Sequence, residues 1–104
     1  MHCLTVTYPK PDDAAAFKTY YEKQHIPLAR TLPGLKSLRY AFPDPISPGD
    51  NVFCIFQAYF ADGAAMGAAM GSDIGNAVAS DVPNYSPKGA NVFHFPLDAG
   101  DETS

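Results

Sequence analysis

The sequence predicts an α+β fold of the ferredoxin-like type, βαββαβ, a four-stranded antiparallel sheet with its helices on one face. Three observations predict it. Four apolar or alternating runs read as strands, at about residues 2–8, 35–42, 52–60 and 90–97. Two stretches between them open on an aspartate and continue with helical spacing. The second and third strands are separated only by a proline-rich loop, so these two form a hairpin.

In the first strand His2, Leu4, Val6 and Tyr8 point one way, and Cys3, Thr5 and Thr7 the other. Pro9 and Pro11 end it, and Asp12 or Asp13 then caps a helix by accepting its free amide hydrogens. On a helical wheel Phe17, Tyr21, Gln24, His25, Leu28 and Leu32 share one broad face, with Lys18, Lys23 and Arg30 away from its centre. The stretch YYEKQHIPLARTLPGL puts a proline two residues after His25. Proline removes a helical hydrogen bond and disfavours helical geometry in the residue before it. The helix is therefore expected to stop or kink near His25, with Ile26 extended and Pro27 opening a second short turn. Pro33-Gly34 ends the segment.

The second strand alternates Leu38, Tyr40 and Phe42 with Ser37, Arg39 and Ala41, and PDPISPGDN forms the loop after it. The third, VFCIFQAYF, is apolar at both parities and is expected to be central, covered above and below. Asp62 caps DGAAMGAAMG, where Gly63, Gly67, Gly71 and Gly75 recur every four residues. Each interior glycine costs about 1 kcal/mol relative to alanine, so the stripe predicts a close neighbour, in the commoner case the sheet. Met66 and Met70 beside it read as core filler. A restart at Gly71-Ser72-Asp73 carries the helix through Ala79 to an end near VPNYSP. The last strand alternates Val92, His94 and Pro96 with Phe93, Phe95 and Leu97. Residues 1–97 thus form a single domain, and 98–104 a polar tail.

Charged residues make up 17 % of the 104-residue chain, against about 25 % in an average soluble domain. Too little charge is available to coat every face, so the open sheet face is expected to be covered by a second copy, in a homodimer. The net charge of −4 and the scattered basic residues argue against a nucleic-acid partner. No window approaches the ~20 apolar residues of a membrane span, and the N-terminus lacks the pattern of a signal peptide. Cys3 and Cys54 sit inside strand-like runs and read as reduced, buried thiols of a cytoplasmic protein.

Several side chains can carry chemistry. His25, held at a chain interruption, can act as a general acid or base or donate to a ligand's oxygen; alternatively it donates to carbonyls freed by Pro27. Burial lowers an imidazole's pKa and a helix C-terminus raises it, so the sequence alone does not sign the result. The phenols of Tyr8, Tyr21 and Tyr40 can converge on the same space, or fill an aromatic core. Asp81 is either the carboxylate that orients His25 or the residue that ends the second helix. Were the first and last strands to place His2 opposite His94, Cys3 would lie on the other face, which spoils a three-ligand metal set. No metal-ligand spacing, phosphate loop, dinucleotide fingerprint or nucleophile elbow is present, so no metal and no cofactor is expected.

The stretch FKTYYEKQHIPLARTLPGL resembles the signature of the EthD family, named for ethyl tert-butyl ether degradation, in which an aromatic pair precedes a histidine and a proline-leucine step. LTVTYPKPDDAAAF and SDIGNAVASDVPNY resemble its short bacterial members, and Tyr21 stands where many longer members have Trp. The resemblance implies a dimeric α/β barrel in which two ferredoxin-like units join their sheets. It also implies a bacterial protein associated with breakdown of alkyl ethers or other small apolar compounds by a cytochrome monooxygenase system. From the residues themselves, His25 at the chain interruption is the expected catalytic residue, with Tyr8, Tyr21, Tyr40 and Asp81 binding a small apolar substrate. A non-catalytic small-molecule or haem binder and a bare dimerisation module are the alternatives, since other proteins of this architecture include cofactor-free monooxygenases, lactone isomerases and haem-handling enzymes.

Overall fold

β1 (His2–Tyr8) is buried at both parities along almost its whole length, because it lies inside the sheet with a strand paired on each edge. In the computed structural model, which describes residues 1–49 and 51–97, the sheet order is β2-β3-β1-β4, every pair antiparallel. β3 (Cys54–Phe60) is the other inner strand; β2 (Ser37–Ala41) and β4 (Asn91–Pro96) form the edges. Tyr8 faces Cys54, Val6 faces Phe56 and Leu4 faces Ala58, so these side chains share the face that the helices cover. The hairpin of β2 and β3 is present, with Tyr40 opposite Phe56.

β3 is central but is not covered above and below. Cys54, Phe56, Ala58 and Phe60 are buried beneath the helices, whereas Ile55, Gln57 and Tyr59 are only half-buried on the open face. All the helices pack on one side; on the other face Cys3 and Thr5 are buried between their larger cross-strand neighbours, but among the described residues no helix covers them.

The first helical segment departs from expectation. α1 (Ala14–Tyr20) is capped by Asp13, whose carboxylate accepts from the Ala16 amide at 3.0 Å. The chain then neither stops at His25 nor extends at Ile26. It widens into a π-turn, Tyr21–His25, and continues as α2 (Ile26–Ala29). Ile26 has helical angles, φ −62° and ψ −44°, and its N–H donates to the Tyr21 carbonyl. The wider turn makes room for the Pro27 ring and its missing N–H, so the helix absorbs the proline instead of breaking. The extra residue also rotates the helix about its axis: Gln24, expected on the inner face, is exposed, while His25 and Ile26 are buried.

The glycine stripe is likewise divided. α3 (Gly63–Met70) and α4 (Asp73–Tyr85) are separate helices, capped by Asp62 and Ser72. A Cβ on Gly63 would meet the His2 ring at ordinary distance, and one on Gly67 would meet nothing within 4 Å. A Cβ on Gly71 would sit tightly, 3.3 Å from the Gly67 carbonyl oxygen, and Gly75 cannot carry one at all, because it would overlap the Ala69 and Met70 carbonyls where α4 turns back against α3. The stripe therefore meets the sheet only at Gly63, beside the His2 ring, and at Gly71 and Gly75 marks a helix–helix corner. α4 runs on through Pro83 to Tyr85, beyond Asp81.

The core centres on an aromatic knot in which Tyr8, Phe17, Tyr21 and Tyr85 make mutual ring contacts with centroids 5.2 to 5.6 Å apart. Both cysteines are free and buried, and Met66 is core while Met70 packs beside it. His2 does not face His94 directly: the register pairs His2 with Pro96 and Leu4 with His94. The two rings still meet diagonally, His2 Nε2 lying 2.8 Å from His94 Nδ1. The tail at 98–104 lies outside the described residues.

Candidate functional site

Asp81 and Tyr85 are four residues apart on α4 and so share one of its faces. That face meets the π-turn carrying His25. The Asp81 carboxylate accepts from His25 Nδ1 at 2.9 Å. The other ring nitrogen, Nε2, lies 3.0 Å from the Tyr85 hydroxyl, which in turn lies 2.8 Å from the Tyr8 hydroxyl. Asp81 is held in place by Tyr20, whose hydroxyl donates to it at 2.6 Å, and by the Asn84 amide at 3.0 Å. A continuous chain results, Tyr8–Tyr85–His25–Asp81, drawn from β1, the end of α4, the π-turn and the middle of α4.

The environment gives this chain a direction. Burial pushes the His25 pKa down, and the bond to Asp81 and its charge recover only part of the shift. Burial pushes Asp81 up, but hydrogen bonds from Tyr20, Asn84 and His25 outweigh it and hold the carboxyl below its ordinary value. Asp81 is thus ionised beside a neutral imidazole. Nδ1 carries the proton it donates to Asp81, which leaves a lone pair on Nε2. Tyr85 must donate to that lone pair, and its oxygen then accepts from Tyr8. Burial raises the phenol pKa of Tyr8 and Tyr85, so both remain protonated donors.

Tyr8 and His25 also line a cavity of ≈ 390 Å³ between the helices and the covered face of the sheet, within the 300–1,000 Å³ common for small-molecule sites. Among the described residues they are its only lining residues with polar side chains; the rest is aliphatic or aromatic, including Leu4, Val6, Phe56 and Val82. The mouth lies where α4 leaves β4 uncovered, with Ala79, Pro83 and Ala90 at the rim and Val92 63 % exposed. Because Pro83 has no N–H, the Ala79 carbonyl one turn earlier lacks its helical donor at that same rim.

The structure therefore brings together three of the residues singled out from sequence, His25, Tyr8 and Asp81. His25 donates to Asp81 and not to carbonyls freed by Pro27, and Asp81 lies inside α4 instead of ending it. Tyr21 is wholly buried and stacks on the His25 ring, centroids 5.3 Å apart, but its hydroxyl has no hydrogen-bond partner. Burial, then the neighbouring Tyr8 and Cys54, push its pKa far up; the Cys54 thiol, also buried, is pushed up to about 12. Tyr40 does not join the group, since its hydroxyl donates to Glu22 at 2.8 Å and only its ring touches Tyr21. Sequence reasoning missed Tyr85, Tyr20 and Asn84. The signal for Tyr85 is its spacing of four from Asp81. No cluster of three or more potential metal ligands occurs among the described residues, nor is any helix there long and apolar enough to cross a membrane.

Fold and site together define a small ferredoxin-like domain with an apolar cavity whose two polar lining residues, Tyr8 and His25, belong to one buried hydrogen-bonded chain. The chain belongs to the EthD family: the EthD domain matches residues 10–89. A protein of Rhodococcus erythropolis, described as an uncharacterized 11.0 kDa protein in the thcB-thcC intergenic region, is 30 % identical over 93 residues, 88 % of this chain and 90 % of that one. An EthD family protein of Bacillus halodurans has the same fold, with a TM-score of 0.84 at 25 % identity, over 94 % of this chain and 99 % of that one. SnoaB of Streptomyces nogalater, described as a cofactor-independent oxygenase, is similar with a TM-score of 0.65 at 16 % identity, covering 92 % and 91 % of the two chains.

Proposed function

We propose that this protein binds a small apolar organic molecule in the helix–sheet cavity and acts on it by proton transfer, without a cofactor. One observation carries the reading: the Tyr8–Tyr85–His25–Asp81 chain supplies both polar residues, Tyr8 and His25, that line an otherwise apolar cavity. Structural histidines need partners too, but a chain of four ionisable groups opening into a cavity is the arrangement acid–base work requires. His25 is the acid–base centre, Tyr8 touches the substrate, and Asp81 and Tyr85 orient the imidazole. Tyr21 packs the ring from behind, and Tyr40 supports Tyr21 without reaching the ligand. A haem binder is less well supported, because both His25 nitrogens are already engaged.

Membership of the EthD family supports a role in breakdown of alkyl ethers or related xenobiotics alongside a cytochrome monooxygenase. The open sheet face supports a homodimer: Phe93, 48 % exposed, stacks with Phe95 on the same face as Tyr59 and Ile55, across β1 from them. A reducing compartment, the cytoplasm, suits the two free thiols. The test is ligand-detected NMR with ethyl tert-butyl ether and small aromatic alcohols, on the native protein and on Ala79→Trp, which closes the mouth. Binding to the native protein that Ala79→Trp removes is expected; binding to neither, or equally to both, would overturn the cavity reading. Light scattering that returns the mass of one chain would overturn the dimer.

A further inference from the structure

With the Nδ1–H donated to the Asp81 carboxylate and the imidazole neutral, every donor in the chain points the same way, from Tyr8 through Tyr85 and His25 to Asp81. Tyr8 donates to Tyr85, and Tyr85 to Nε2, so the Tyr8 oxygen is left with an acceptor site and no proton to give the ligand. We propose that the site is a base relay for weakly acidic hydroxyl compounds: it takes the proton of a cavity-bound phenol or enol at the Tyr8 oxygen and stores a proton on His25. This deepens, and rests on, the reading of the cavity as the binding site.

The proton count closes. The ligand's O–H bond breaks and its proton forms a new O–H bond on Tyr8; the former Tyr8 proton moves to Tyr85, and the former Tyr85 proton to His25 Nε2. What remains is a ligand oxyanion facing the new Tyr8 O–H, and an imidazolium facing ionised Asp81. Neither tyrosine is left charged, which matters because burial opposes a phenolate at either position. The imidazolium is met from α4 by Asp81, itself bonded to Tyr20 and Asn84, and by the neutral Tyr85 phenol. From its own π-turn Tyr21 stacks on it, with the phenol of Tyr8 on β1 and the protonated Cys54 thiol on β3 behind. No lysine or arginine shares a hydrogen bond or salt bridge with these groups among the described residues, so Asp81 and the new ligand oxyanion are the two charges that must offset the burial which, with Asp81 alone, leaves the His25 pKa lowered. Tyr21 adds a donor: its unpartnered hydroxyl lies near that of Tyr8 and can turn to it when negative charge develops next door.

The probe is 4-nitrophenol, whose phenolate absorbs in the visible and whose neutral form does not. At a pH where the free probe is mostly protonated, the native protein is expected to raise the phenolate fraction of bound probe several-fold. Tyr85→Phe, which cuts the chain, should still bind the probe but return that fraction to the free value; Asp81→Asn, which keeps Tyr85 but removes one of the two compensating charges, should do so in part. Near-ultraviolet circular dichroism checks that both variants are folded. Probe that binds natively and stays protonated, or phenolate that survives Tyr85→Phe, would overturn the base relay and leave the cavity reading standing. Probe that does not bind, or whose binding Ala79→Trp leaves intact, would overturn both.

Discussion

Tyr21 and Tyr85 lie edge to face 5.2 Å apart, both almost fully buried, yet they have opposite standing in the molecule. Tyr85, at the end of α4, has its hydroxyl between Tyr8 and His25, bonded to each. Tyr21, opening the π-turn, presents a hydroxyl that bonds to nothing. The first region is a finished polar network; the second holds an unsatisfied polar atom in an aromatic knot. The difference teaches that burial is uninformative by itself, and that the partners of a buried hydroxyl decide whether it stabilises or strains its surroundings.

The largest effect should come from removing the group that joins the two regions. His25→Ala deletes a buried ring and strips the partners from Tyr85 and Asp81, so a loss of about 3 kcal/mol is expected in urea unfolding. A loss below about 1 kcal/mol would mean the chain is not held together by His25. The same residue sets an acid sensitivity. Its folded pKa is lowered, so below its ordinary value of about 6.5 the unfolded chain takes up protons that the native state refuses. Stability therefore falls as pH drops through that range. Asp81, also lowered, extends the loss to more acid pH in the same direction. In His25→Ala the upper part of the slope should vanish; an unchanged slope would place its origin elsewhere.

Two isosteric changes then test the contrast directly. Tyr85→Phe leaves Nε2 without a donor and Tyr8 without an acceptor, for a loss of about 2 kcal/mol. Tyr21→Phe removes an unpaired polar atom and should have the opposite sign, a gain of about 1 kcal/mol. Equal losses in both variants would show that Tyr21 has a partner, and the comparison would fail.

Much of the architecture was legible because strand periodicity and caps are local. The alternation of β1 and β3, the Asp13 and Asp62 caps and the Gly71-Ser72 restart need only near neighbours to be understood. The π-turn was not legible: Pro27 announces a disturbance, but widening wins over breaking because it keeps Tyr21, His25 and Ile26 all buried, a tertiary gain. The glycine repeat misled for a related reason, since its period is helical only if the helix is continuous, and it turns a corner at Gly71. Of the site, His25, Tyr8 and Asp81 were within reach because chain breaks and phenols advertise themselves. Tyr85 was not, because its meaning comes from which face of α4 meets a segment 60 residues away.

Tyr40 offers the smallest and sharpest test, because it separates a ring from its hydroxyl. Its ring meets Tyr21 edge-on at 5.6 Å, while its hydroxyl reaches outward to Glu22. An exposed hydrogen bond exchanges readily with water, so Tyr40→Phe should change stability by no more than about 0.5 kcal/mol. It should also leave the phenolate fraction of bound 4-nitrophenol as it is in the native protein. Tyr40→Ala differs, because deleting the ring exposes Tyr21 and loosens the packing behind His25; a loss of about 2 kcal/mol is expected. Should Tyr40→Phe lower the phenolate fraction as much as Tyr85→Phe does, the outer tyrosine would belong to the proton path, and the boundary between finished network and supporting knot would have to move.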